Sequence, residues 1–104
     1  MRQEKLLSVI KKAVLSVVPE AEVIAYGDRI THDADSDTCW ELLVLTGKIV
    51  NDQMKREIKT ELSRVEMAIG NQIELMIRSR DQWYSLKNQS EPFFRLIEKT
   101  GQRL

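Results

Sequence analysis

Apolar residues recur at helical spacing through the first part of the chain. Leu6, Leu7, Ile10, Ala13, Val14, Val17 and Val18 share one face of a helix predicted over residues 3 to 18, with Lys5, Lys11 and Lys12 on the other side. Pro19 ends it, because the residue before a proline is pushed out of the helical region. The pattern then shortens. Glu22 to Tyr26 is β-branched and apolar and predicts a buried strand, with Gly27 supplying a sharp turn at its end. Residues 28–38 form a polar loop with no apolar anchor beyond Ile30. Trp40 to Thr46 predicts a second strand, and its run Leu42-Leu43-Val44-Leu45 implies burial on both faces.

Gly47 breaks that run, and Asn51 suits the N-cap of a helix over 52–69 with the stripe Met54, Ile58, Leu62, Val65 and Ile69. Gly70 fits the left-handed residue just past the helix end. Gln72 to Arg78 alternates as a third strand, with Ile73, Leu75 and Ile77 on one face and Gln72, Glu74 and Met76 on the other. Ser79-Arg80-Asp81-Gln82 reads as a capping box opening a short helix that carries Trp83, Tyr84 and Leu86. Ser90 can cap a last helix with Pro92 in its first turn, Phe93, Phe94, Leu96 and Ile97 to dock it, and Gly101 to close it. The order α-β-β-α-β-α-α predicts one α/β (α+β) domain over 1–104, a small mixed sheet of about three strands flanked by helices.

Composition narrows the function classes. The 104 residues carry 16 basic and 16 acidic side chains, so no large net field draws the chain to nucleic acid or an anionic membrane. No basic groove accompanies the aromatic residues, which argues against an extended nucleic-acid surface and for Trp40, Trp83, Phe93 and Phe94 as core. No window approaches the roughly 18 consecutive apolar residues of a membrane span, and the N-terminus opens an amphipathic helix and not a signal peptide. A single cysteine excludes an internal disulfide and a cysteine-built zinc cluster. A cytoplasmic location is expected.

The most informative stretch runs from Tyr26 to Leu45: a glycine at a strand end, a loop dense in acids, then a second apolar strand opening Cys39-Trp40-Glu41-Leu42-Leu43. It resembles the signature of the minimal nucleotidyltransferases, small relatives of the polymerase-beta catalytic domain. Their pattern is glycine-serine-arginine, about ten loop residues, then aspartate-x-aspartate running into an aliphatic strand. Counted from Gly27, the spacing fits without a gap. It places Gly27, Asp28 and Arg29 at the phosphate-binding turn, Cys39 and Glu41 at the two strand aspartates, and Glu74 at a third acid on the neighbouring strand. The resemblance extends over essentially the whole chain, including a tryptophan after the third strand and a proline-phenylalanine near the C-terminus. It implies transfer of a nucleoside monophosphate from a nucleoside triphosphate to an acceptor hydroxyl, with Mg2+ as cofactor.

The chemistry departs from that pattern at three positions. Nucleotidyl transfer relies on positioning and on charge neutralisation by two magnesium ions, which prefer hard oxygen ligands. Cys39 offers soft sulfur. Glu41 keeps the charge but moves its carboxylate by roughly 1 Å, a displacement that can cost on the order of a hundredfold in rate. Asp28 sets a carboxylate against phosphate. The expectation is a nucleotidyltransferase-like domain with weakened or lost catalysis.

A second register stays open, in which Ser36-Asp37 precedes the strand and Asp35 with Asp37, or Asp37 with Glu41, holds the metal. An EF-hand reading of Asp33, Asp35 and Asp37 fails, because its sixth and twelfth positions are Thr38 and Val44. His32, with no second histidine, reads as a surface residue. A non-catalytic alternative also follows from the resemblance. Family members often pair with a small helical HEPN-type protein, and this chain would be its antitoxin-like partner. Homo-oligomerisation is compatible with either reading.

Overall fold

The computed structural model describes residues 3–27, 39–86 and 91–104. In chain order they form α1 (Gln3–Val17), β1 (Glu22–Tyr26), β2 (Trp40–Thr46), α2 (Asp52–Ile69), β3 (Ile73–Ser79), α3 (Arg80–Ser85), α4 (Pro92–Thr100) and β4 (Gln102–Arg103). The strands lie in the order β3-β2-β1-β4. β1 is antiparallel to both β2 and β4, whereas β2 and β3 are parallel. A parallel pair needs a crossover, and α2 provides it. The expected α/β class holds. No helix among the described residues is long and apolar enough to cross a membrane.

β2 sits in the middle of the sheet, and Leu42, Leu43, Val44 and Leu45 are all buried. Leu42 and Val44, with Trp40, Val23 and Ala25, pack against Ile10 and Val14 of α1 and Ile58 and Leu62 of α2. Leu43 and Leu45, with Ile24, pack on the opposite side against Trp83 of α3 and Phe94 and Ile97 of α4. The alternation of a strand thus divides one apolar run between two cores. The result is a three-layer arrangement of helices, sheet and helices.

Local signals in the sequence are met where side chains cap backbone groups. The Asn51 side chain accepts the Met54 N–H, and Gly70 closes α2 at φ 75 while donating its N–H to the Glu66 carbonyl. Ser79 and Gln82 form the reciprocal capping box at α3. Two expectations are corrected, the N-cap of the last helix and the number of strands. The N-cap of α4 is Glu91, whose carboxylate accepts the Phe93 N–H. A carboxylate suits a helix N-terminus, and Pro92 has no N–H to offer; Ser90 lies outside the described residues. The sheet has a fourth strand, β4, anchored beside β1 by the Leu104 N–H donating to the Val23 carbonyl. Gly101 closes α4 as expected, in an extended conformation at φ −69 with its N–H donating to the Ile97 carbonyl at 2.7 Å. A Cβ there would lie 2.6 Å from the Ile97 carbonyl oxygen and 2.7 Å from Ile24 Cγ2. Close approach both to a carbonyl in the helix's own last turn and to the sheet is what needs glycine there.

One end of the sheet is tied together by charge. Glu20 accepts hydrogen bonds from the buried Thr46 hydroxyl, from the Gly47 N–H at 3.0 Å and from Arg80 Nη1 at 2.8 Å. Arg80 also reaches the Glu20 carbonyl and lies 3.6 Å from Glu22, which accepts from the Tyr84 hydroxyl. Burial alone would raise the Glu20 pKa, but the bonds from Gly47, Thr46 and Arg80 outweigh it and hold the carboxyl below its ordinary 4.5. A carboxylate depressed on folding contributes stability above its unfolded pKa and loses it as pH falls through the folded value. Glu20→Gln is therefore expected to lower the melting temperature by a few degrees at pH 7. The gap to the unaltered protein should narrow as pH falls below the ordinary carboxylate range and close below the folded value, where both carry a neutral side chain. Thermal denaturation across pH 3–7 checks this.

Candidate functional site

The opposite end of the sheet gathers the residues singled out in the sequence. Tyr26 closes β1, while Glu41 and Glu74 are each the second residue of their strands. The register sets Tyr26 opposite Glu41 and Glu41 opposite Glu74. Residues paired across a sheet point to the same face, so the three side chains form a row on the α3–α4 side. The Phe93 ring meets the Tyr26 ring edge-on at 5.7 Å.

Electrostatics in that row favour a neutral phenol. Burial, then the charges of Glu41 and Glu74, push the Tyr26 pKa above 10, against a smaller opposing pull from Arg78. Tyr26 thus keeps its proton at neutral pH and offers a hydrogen-bond donor beside two carboxylates. Sequence reasoning passed over Tyr26. The available signal was its place as the last residue before the glycine turn, but the pairing that brings it to the acids is a matter of register.

Gly27 adopts φ 86, in the left-handed region that suits glycine. A Cβ built on it would lie 1.8 Å from Oε2 of Glu41 and 2.8 Å from its Cδ. The Glu41 carboxylate therefore rests in the notch left by the missing side chain. Cys39 lies just before β2, half-buried, with its Sγ donating to the Gln72 amide oxygen at 3.5 Å. The Trp40 N–H donates to the Gln72 carbonyl at 2.9 Å, so the segment carrying Cys39 is stitched to the start of β3.

The structure therefore brings Gly27, Glu41 and Glu74 to one corner and sets Cys39 beside Gln72 at the same strand ends. Asp28, Arg29 and Asp37 lie outside the described residues, as do Asp35 and His32. Among the described residues no group of three His, Cys, Asp or Glu side chains is placed to hold a metal ion. The donor chemistry agrees. A thiol engaged with an amide oxygen and a carboxylate seated over a glycine do not make the hard, near-octahedral oxygen cage that magnesium requires. No protein-family model matches the chain, and no curated protein is significantly similar to it.

Proposed function

We propose that the chain is a nucleotidyltransferase-like domain in which nucleotide transfer is weakened or lost, acting in the cytoplasm where nucleoside triphosphates are found. One observation carries this reading: two acids directly opposite each other on parallel strands, beside a glycine in the left-handed region. The resemblance in sequence asks for that constellation. The same corner supports impairment. The longer Glu41 side chain fills the notch over Gly27, where a triphosphate would approach the backbone, and Cys39 replaces a hard ligand with a soft one.

The test is incubation with labelled ATP, GTP, CTP and UTP and magnesium or manganese, with and without cell extract. Transfer no greater than that of Glu41→Gln/Glu74→Gln is expected. Robust labelling of an acceptor that this double variant abolishes would overturn the loss of catalysis.

A second reading is favoured by the contrast between two well-packed cores and an altered corner. In it the domain is a binding module, an antitoxin-like partner that masks a small helical HEPN-type protein. Recovery of such a protein in a pull-down supports it. Failure to recover one, combined with tight magnesium–nucleotide binding, contradicts it.

A further inference from the structure

β3 forms one edge of the sheet, and its seven residues, Ile73–Ser79, read Ile-Glu-Leu-Met-Ile-Arg-Ser. The bond from the Trp40 N–H to the Gln72 carbonyl fixes which backbone groups face β2. By alternation Gln72, Glu74, Met76 and Arg78 turn their backbone groups inward, and Ile73, Leu75, Ile77 and Ser79 turn theirs out from the edge. The contacts agree. The Ile73 N–H is held at 2.7 Å by the Glu66 carboxylate, the Ile77 carbonyl accepts from Arg78 Nη1 at 2.8 Å, and the Ser79 N–H meets Gln82 at 3.3 Å. Side chains cover both ends of the edge, while Leu75 presents its N–H and carbonyl outward at the centre.

We infer that this edge pairs with the same edge of a second copy, antiparallel and centred on Met76, giving a two-fold symmetric dimer with one continuous sheet. An antiparallel pair along a two-fold axis is self-complementary only if the residues flanking its centre are. Around Met76 they are. Glu74 falls opposite Arg78 of the second copy, Arg78 opposite its Glu74, and Leu75 opposite its Ile77. Leu75 and Ile77 both face outward, so each such pair exchanges two backbone hydrogen bonds.

Other registers lose this match. Pairing Leu75 with itself sets Glu74 against methionine, pairing Ile77 with itself sets Arg78 against methionine, and pairing Ile73 with Leu75 sets Glu74 against Glu74. Among the described residues Glu74 faces Glu41 on β2, a like charge directly opposite. The second copy's Arg78 sets a cation opposite Glu74 across the proposed seam. Arg78 need only exchange the Ile77 carbonyl for a carboxylate, while that carbonyl gains the second copy's Leu75 N–H. Glu74 and Arg78 are exposed and Leu75 is half-buried, so the surfaces are available. The charge palindrome selects a second copy over an unrelated extended peptide.

The test is sedimentation velocity on the full chain, with circular dichroism as a check on folding. The unaltered protein is expected to sediment as a dimer at tens of micromolar. Glu74→Arg and Arg78→Glu each set like charges opposite one another twice per dimer and should weaken association at least about tenfold. The double swap Glu74→Arg/Arg78→Glu restores both attractions and should restore the dimer. Mixing the two single variants should give a heterodimer, because each then faces its opposite charge. A monomeric unaltered protein at several hundred micromolar, single variants that dimerise normally, or a mixture that stays monomeric would each overturn the inference.

Discussion

Trp83→Ala is expected to destabilise the fold by about 3–5 kcal/mol, the usual cost of emptying a buried tryptophan site. Trp83 is 1% exposed and forms the centre of the smaller core, its ring 5.1 Å from Phe94 and 6.2 Å from Phe93. Ile24, Leu43, Leu45 and Ile97 complete the cluster, so the void would open between the sheet and both C-terminal helices. Domains of this size have total stabilities of about 5–15 kcal/mol, and the loss is a large fraction of that. Because each kcal/mol moves the midpoint by about 4–8 °C in domains of 60–100 residues, a drop of more than about 10 °C should be seen. Trp83→Phe separates packing from polarity. The indole N–H has no hydrogen-bond partner among the described residues, so phenylalanine, which keeps a ring in the site, should cost clearly less than alanine. Urea denaturation of both variants measures the difference. Equal losses would show that the N–H, and not the ring, matters at this position.

Much of this fold was legible in the order of residues because each element is patterned to its own period. The α2 stripe from Met54 to Ile69 and the alternation in β3 name their faces without ambiguity. Asn51, Gly70 and the Ser79–Gln82 box mark ends by local hydrogen bonding, which depends on neighbours in sequence. What escaped depends on partners distant in the chain. β4 is two exposed polar residues with no period of its own, and it exists as a strand because Val23, Ile24 and Ala25 present an open edge. Gly101 closes α4 as its place in the sequence suggested, but the contact with Ile24, far back in the chain, that also bars a side chain there could not be read. β3 runs from Ile73 to Ser79, one residue later than its alternation suggests. The Gln72 carbonyl receives the Trp40 N–H just ahead of the strand.

The candidate corner divides along the same line. The family resemblance points to Gly27, Glu41 and Glu74, and the register sets the two acids face to face. That Glu41 would lie over Gly27, and that Tyr26 would join the row, could not be read from spacing. Both follow from the antiparallel pairing of β1 with β2.

The second large effect expected is a gain. Asp28→Ser/Cys39→Asp/Glu41→Asp would restore at each position the residue type that the resembled pattern carries. Shortening Glu41 withdraws its carboxylate from the notch over Gly27, and Cys39→Asp exchanges a soft donor for a hard one. Asp28→Ser removes a charge that would repel a triphosphate, a term of about 4 kcal/mol for unit charges at 4 Å with intermediate screening. That corresponds to roughly a thousandfold in affinity. Magnesium–ATP titrated by calorimetry into the unaltered protein and the triple variant tests the proposed ancestry of the corner most directly. Negligible heat from the unaltered protein and micromolar-range binding by the variant is the expected result. A folded triple variant that binds no better than the protein it came from would contradict it.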